Sequence, residues 1–285
     1  LRSLVGSEMR IRDSITWDRM EYVEGTNEYV PVRPEYKKSI DALYAEAEKQ
    51  ALSGNTEALV NVKKEFGENP YELKNILKYW IRSKNEDLKV IPTDSIVMKV
   101  DKEAVRRSGM MIPGDSIPDY MHISLKGKRA LYKSELMMLE MLANANWERP
   151  IYMAITVGSE NHLGMGNHFT QEGLAYRFTP FDTDKLDSKI DSEKMYDNLM
   201  NKFKFGGIDK PGIYIDENVM RMCYTHRRIF TQLVGQLIKE GKKDKALAAL
   251  DYAEKMIPAI NVPYDWANGA FQMAESYYQL GQNEK

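Results

Sequence analysis

The sequence predicts an α+β (mixed α/β) protein, in which N-terminal helices precede a small mixed sheet with packed helices and a helical tail. Three observations support this fold class. Short, β-branched apolar runs in the middle of the chain are typical of strands. Apolar residues spaced three or four positions apart on either side of them are typical of amphipathic helices. The C-terminal part contains a recognisable helical repeat.

The composition is that of a globular protein, because 43% of the 285 residues are hydrophobic and 29% are charged. The formal net charge of −2 offers no basic surface, so no nucleic-acid partner is predicted. Cys223 is the only cysteine, which excludes an intrachain disulfide but does not fix the compartment. No run of about 18 apolar residues is present. We expect the chain to be a fragment of a longer protein, since it begins without methionine and ends within a repeat.

Residues 1–90 are predicted to form an extended segment and helices. Little periodicity is present before Val32, and residues 22–32 are expected to form a turn and a short extended segment. Proline at a first helical position and glycine after a last one mark the helix ends. The predicted helices cover residues 34–53, 56–66 and 70–81.

Residues 91–192 are predicted to form a small α/β sheet domain. Apolar runs predict strands at residues 95–100, 120–125, 151–157 and 173–180, and Ser134 is a plausible N-cap for a helix between the second and third strands. Strand, helix and strand in this order favour one mixed sheet. The run Ile151–Val157 is almost continuously apolar, so we expect a central strand with both faces covered.

Residues 193–285 are predicted to form a helical tail. A short helix is expected at residues 195–205, and Asp216 is predicted to cap a helix that runs from Glu217 to about Lys239. Tetratricopeptide-like spacing follows, with an insertion at Asn261–Trp266 and a second copy that begins near Met273. Two interpretations stay open: a peptide-binding module, or a helical cap packed on the preceding domain. The cap is favoured, because roughly three repeats are normally needed for a stable array.

A polar loop and the strand after it contain the candidate ligand-binding residues. Two imidazoles and two carboxylates within thirteen positions offer donors for a divalent ion, but their spacing is not a metal signature, and we predict no tightly bound metal. An arginine beside a glutamate on a strand is usually a structural pair, although it can also bind an acidic ligand. The candidates are Glu160, His162, His168, Glu172, Tyr176 and Arg177.

No catalytic residue and no cofactor are predicted, since the chain has no P-loop, nucleophile elbow or G-x-G-x-x-G motif. Aromatic residues can stack on a sugar ring, but scattered aromatic residues usually belong to a core. Those considered for a sugar contact are Trp17, Tyr22, Tyr29, Trp80 and Trp266.

Several short blocks, in a fixed order, carry a family resemblance. They are Asn146–Tyr152, Leu163-Gly164, Glu172–Arg177 with Pro180, Met195–Phe203, Tyr214–Asn218 with Arg221, Gly241-Lys242, Asp244–Ala246, Leu250-Asp251 and Val262–Asp265. From about Tyr22 onward the chain resembles a bacterial multi-pass membrane-protein family described as protein O-mannosyltransferase-like, formerly a domain of unknown function. Met153 and His168 depart from the family pattern, which has an aromatic residue and a tyrosine there, so a family-wide histidine site is not expected.

The resemblance implies an extracytoplasmic C-terminal part on the periplasmic face of the bacterial inner membrane. Its expected partner is its own membrane region upstream of Leu1, which is expected to hold the catalytic carboxylates of a glycosyltransferase. The leading hypothesis is therefore a non-catalytic domain that positions acceptor protein or glycan. The alternative is a protein-interaction module that uses the tetratricopeptide-like helices. An independent metal-dependent enzyme at residues 160–172 is the third hypothesis.

Overall fold

A computed structural model describes residues 29–114, 116–282 and 284. The predictions for Trp17, Tyr22 and the segment before Tyr29 lie outside these described residues. The chain divides into two compact units. Of the described residues, the first unit contains those up to Ile151 and the loop Gly158–His168, and the second contains Tyr152–Val157 and those from Phe169 onward. The predicted division at residues 90 and 192 stays a prediction.

Helices and two strand pairs build the described part of the first unit. Its strands are β1 (Tyr29–Pro31), β2 (Ser95–Lys99), β3 (Tyr120–Ser124) and β4 (Ala130–Tyr132). Its helices are α1 (Tyr36–Leu52), α2 (Glu57–Phe66), α3 (Leu73–Asn75, continued by a π-helix at Ile76–Ile81), α4 (Lys102–Arg107) and α5 (Lys133–Ala145). Strand β1 pairs with β4 and β2 pairs with β3, both antiparallel. The buried ring of Trp80 lies 6.3 Å from that of Tyr36 and 5.1 Å from that of Phe66, so aromatic packing joins the first three helices.

A three-stranded sheet and a helical tail build the second unit. The strands are β5 (Tyr152–Ala154), β6 (Phe169–Gln171) and β7 (Ala175–Phe178), in the antiparallel order β5-β7-β6. The helices are α6 (Ser192–Asp197, continued by a π-helix at Asn198–Lys202), α7 (Glu217–Lys239), α8 (Lys243–Met256) and α9 (Ala270–Gln279). The Asp216 carboxylate accepts the backbone N–H groups of Asn218 and Val219 at 2.8 and 3.0 Å, which confirms the predicted start of α7.

Small side chains let α7 and α8 pack closely, as the repeat pattern predicts. Ala246, Ala249 and Ala253 are buried in one core cluster with Leu233 of α7. The connection from α8 to α9 is held by Arg227, which is 1% exposed. Its guanidinium donates hydrogen bonds to the carbonyl oxygen of Ile257, which follows α8, and to those of Val262 and Pro263 in the insertion.

The α+β class is confirmed, but two details of the predicted sheet are wrong. The strands of the described residues form three small antiparallel sheets instead of one mixed sheet. The run Ile151–Val157 is not a central covered strand: only Tyr152–Ala154 is extended, it lies at the edge of its sheet, and Tyr152 is 45% exposed. After Ala154 the chain turns, with the N–H of Val157 donating to the carbonyl oxygen of Ala154 at 3.0 Å. An apolar run alone does not distinguish a buried strand from a short edge strand followed by a turn.

Candidate functional site

The candidate residues predicted from the sequence are divided between the two compact units. The first unit contains Glu160, His162 and His168, and the second contains Glu172, Tyr176 and Arg177. Within residues 29–114, 116–282 and 284, no group of three or more His, Cys, Asp or Glu side chains is arranged to hold a metal ion.

The loop in the first unit is a succession of tight turns. The backbone N–H of His168 donates to the carbonyl oxygen of Met165 at 2.8 Å, and that of Met165 donates to His162 at 2.9 Å. Gly164 has a φ of +69°, and a Cβ atom there would collide with the carbonyl oxygen of Ser124 at the end of β3. This glycine therefore serves close backbone packing of the loop on the strand.

In the second unit, Glu172 is the centre of a buried polar network. The hydroxyl of Tyr152 donates to Oε2 of Glu172 at 2.7 Å, and Nη1 of Arg177 and Nζ of Lys194 lie 3.5 and 3.4 Å from Oε1. Burial and then the hydrogen bond to Glu172 raise the pKa of Tyr152 to about 12, which keeps this phenol a donor. Tyr176 lies on the central strand, half-buried. These contacts are those of a structural network, and ligand binding by these residues stays a prediction.

A strained turn follows α5 in the first unit. Asn146 and Trp147 have φ values of 44° and 65°, so two consecutive residues other than glycine adopt the left-handed conformation. Such residues cost about 1–3 kcal/mol each and persist only where the surrounding structure enforces them. Here the buried Trp147 donates its indole N–H to the carbonyl oxygen of Lys99 at 2.8 Å, and the side-chain oxygen of Asn146 accepts from Nζ of Lys74 at 2.6 Å. Strain of this kind is often found at binding sites.

The strained turn forms part of the wall of a cavity of about 470 Å³. Three chain segments and the end of α5 meet around it: the start of α3, the end of β2 and the start of α4. The lining residues are Glu72, Leu73, Lys74, Met98, Lys99, Val100, Asp101, Lys102, Glu103, Ala143 and Asn146. Most of these residues are charged or polar, and the apolar part of the lining is Leu73, Met98, Val100 and Ala143. The volume lies in the range of small-ligand sites.

A second cavity of about 320 Å³ adjoins the first, since Lys74, Ala143 and Asn146 line both. Its wall includes Glu140, which is 2% exposed and forms an ion pair with Arg82. Glu140, Ala143 and Asn144 of α5 line one or both cavities, so the two spaces adjoin each other beside the C-terminal half of this helix.

Charges around the larger cavity are balanced. Lysines 74, 99 and 102 and the carboxylates of residues 72, 101 and 103 contribute equal numbers of positive and negative groups. The carboxylate of Asp101 accepts the backbone N–H of Ala104 as a helix cap, and Nζ of Lys102 lies 2.7 Å from Oδ1 of Asp119. A wall with both donors and acceptors and no net charge suits an uncharged polar ligand better than a phosphate.

Sequence reasoning missed this site, because none of its polar side chains belongs to a spaced motif. Asn146 and Trp147 belong to a resemblance block, and neither was predicted to line a ligand site. The left-handed backbone was not visible from the sequence, since glycine is the residue that usually marks this conformation.

The fold and the cavity define a two-unit α+β domain with a candidate ligand site in its first unit and a helical tail in its second. Residues 13–195, more than half of the chain, match the family described as TMEM260-associated domain 2. The chain belongs to this family, a domain linked to membrane-protein families. Comparisons with curated proteins and with solved structures found no match. In the part of the chain that the structure describes, no helix has the length and apolarity needed to cross a membrane.

Proposed function

We propose that the chain is a non-catalytic, extracytoplasmic domain of a membrane glycosyltransferase of the protein O-mannosyltransferase-like type. In this proposal a membrane region upstream carries the catalytic groups, and the domain lies on the periplasmic face of the inner membrane. The cavity of about 470 Å³, called the first-unit cavity below, then holds the acceptor protein or glycan close to the membrane site. Membership of a family linked to membrane proteins supports the proposal.

The observation that carries the proposal is the strained Asn146–Trp147 turn in the wall of a charge-balanced cavity. Asparagine often ends a helix in this conformation, but tryptophan does not, so the left-handed backbone of Trp147 is one that the surrounding structure enforces. Acceptor peptides and glycans present hydroxyl and amide groups, and both kinds of group donate and accept hydrogen bonds. The ammonium, amide and carboxylate groups of Lys74, Asn146 and Glu72 match such a ligand.

The test is steady-state transfer from a lipid-linked mannose donor to an acceptor peptide, with the domain joined to its membrane region in detergent. We expect the double variant Glu72→Gln, Lys74→Met to raise the KM for the acceptor about tenfold and to leave kcat unchanged, because binding common to ground and transition states is lost. Lys49→Met, at an exposed position of α1, is the control and should leave both constants unchanged. An unchanged KM in the double variant would contradict the proposal.

The second unit favours a second candidate function, a protein-interaction module. Trp266 lies just before α9 and Phe271 lies in its first turn. They are 72% and 42% exposed, and their ring centroids lie 4.8 Å apart. Exposed aromatic pairs are frequent at the centres of protein interfaces. If the tail recognises a protein partner, Trp266→Ser should weaken capture of the acceptor protein at least tenfold while Lys74→Met has no effect.

A further inference from the structure

A second-unit cavity lies apart from every residue discussed so far as a candidate site. Its volume is about 260 Å³. It is formed by the segment after the π-helix at Asn198–Lys202, the first turns of α7 and the residue that follows α8. The lining residues are Lys204, Phe205, Gly206, Ile208, Val219, Met222, Cys223, His226 and Ile257.

Most of this lining is apolar, and part of it is buried. The ring of Phe205 lies 6.2 Å from that of Phe230 and 6.1 Å from that of Tyr252, and it is 8% exposed. Burial raises the pKa of the Cys223 thiol, so this side chain is a neutral, apolar part of the wall. An apolar body of a ligand therefore finds a preformed surface here.

His226 supplies an acceptor. Its Nδ1 lies 2.7 Å from the carbonyl oxygen of Met222, and because a carbonyl only accepts, Nδ1 carries the proton. In the neutral ring Nε2 is then an acceptor. The rings of Phe203 and Phe205 pack against the imidazole ring, at centroid distances of 6.0 and 5.9 Å.

Lys204 supplies the charge. Among the nine lining residues, all of them within the described part of the chain, Lys204 is the one with a permanent charge, and no carboxylate belongs to the set. An ammonium group at the edge of an apolar cavity attracts an anionic group whose apolar body enters the cavity.

We propose that this cavity binds a small apolar hydroxy acid: a compact hydrocarbon body, a hydroxyl that donates to Nε2 of His226, and a carboxylate paired with Nζ of Lys204. Three features of one ligand thus correspond to three features of the cavity. The small volume limits the affinity, and a dissociation constant on the order of 1 mM is expected for a ligand of this size.

The probe is 3-(4-hydroxyphenyl)propanoate, with its amide and 3-phenylpropanoate as matched analogues that lack the charge and the hydroxyl. Binding to the whole chain is followed by NMR at the Met222 methyl group and at Nε2 of His226. We expect saturable shifts with the hydroxy acid and about tenfold weaker binding of each analogue. Lys204→Met should weaken binding of the acid about tenfold and leave the amide unchanged, and His226→Phe should remove the preference for the hydroxyl.

Filling the cavity provides an independent variant. Val219 is 40% exposed at the cavity, and Val219→Trp should abolish the shifts, whereas Val60→Trp, at a 59% exposed position of α2, should not. Lys239→Met, at the far end of α7, is the control for charge and should bind as the unmodified chain does. The proposal is overturned if no saturable shift occurs up to about ten times the expected dissociation constant, if acid and amide bind equally, or if Lys239→Met has the effect of Lys204→Met.

Discussion

The indole N–H of Trp147 donates a hydrogen bond to the backbone carbonyl oxygen of Lys99 over 2.8 Å. This bond connects the strained turn after α5 to the end of β2, and both segments line the first-unit cavity. The indole is 5% exposed, so the bond satisfies a buried donor and helps to hold the left-handed backbone of Trp147 in place.

Trp147→Phe tests this bond. Phenylalanine keeps most of the apolar contact but has no N–H, so the carbonyl oxygen of Lys99 loses its donor. We expect the free energy of unfolding to fall by about 1–3 kcal/mol in urea denaturation. The same substitution at the 72% exposed Trp266 is the control and should change it by about 0.5 kcal/mol or less. Equal effects at the two positions would contradict the assigned role.

Gly164→Ala should destabilise the first unit more than Gly127→Ala does. Both glycines have positive φ, at +69° and +84°, so both substitutions cost backbone strain. Only at Gly164 does the new Cβ meet a backbone atom, the carbonyl oxygen of Ser124, while nothing lies within 4 Å at Gly127. The difference in the free energy of unfolding should be about 1–3 kcal/mol. If the two substitutions lower the free energy of unfolding equally, the loop must move away from β3 at no cost.

Glu172→Gln should lower the stability of the second unit strongly. The Glu172 side chain is 4% exposed beside Arg177 and Lys194, and neutralising it leaves buried positive charge without its counter-charge. Removing one partner of a buried ion pair typically lowers the free energy of unfolding by about 3–5 kcal/mol. Glu275→Gln, on the exposed face of α9, is the control and should cost about 0.5 kcal/mol or less. A stable Glu172→Gln variant that has lost affinity for a ligand would instead favour a binding role.

Stability at acid pH should respond to Glu193. Its carboxylate accepts from Nζ of Lys242 and of Lys245 at 2.8 and 2.7 Å, and these bonds lower its pKa from 4.5 to about 2. Because the folded pKa is the lower one, the stabilisation is complete well above the unfolded pKa of 4.5 and is lost as the pH falls towards 2. The side chain is 58% exposed, so solvent screening holds the effect to about 1 kcal/mol or less.

The measurement compares the unmodified chain with Glu193→Gln in urea denaturation between pH 2 and 7. The stability difference should be constant above about pH 5 and should vanish near pH 2. A difference that persists unchanged at pH 2 would show that the ion pairs are not its source.

Local signals in the sequence predicted much of the fold. The start of α7 was predicted correctly because an aspartate cap followed by helical periodicity acts within one turn of chain. The strands at Ser95–Lys99 and Tyr120–Ser124 followed from short apolar runs, and their antiparallel pairing buries Ile96 and Ile123 in register. The small-residue pattern of the tail likewise predicted the packing of α7 on α8.

The features that the sequence did not predict depend on contacts between residues far apart in the chain. The exposure of Tyr152 depends on β7 pairing on one side only, which the apolar run does not encode. The sequence predicted that Glu172 and Arg177 lie together on a strand. It did not predict that Lys194 joins them, because this lysine comes from a helix later in the chain. The cavity around Asn146 brings together four segments of the chain. The strained turn in its wall is stabilised by the indole of Trp147, which bonds to the carbonyl oxygen of Lys99, 48 residues earlier in the chain.

The central claim is that the first-unit cavity recognises an acceptor, and the most direct measurement is an NMR titration of the chain with an acceptor peptide and its mannosylated form. The indole signals of Trp147 and Trp266 report on the cavity and on the tail separately. We expect a saturable shift at Trp147 with little change at Trp266, lost in the Glu72→Gln, Lys74→Met variant and retained in Lys49→Met. A shift confined to Trp266, or a shift at Trp147 that survives in the double variant, would contradict the account.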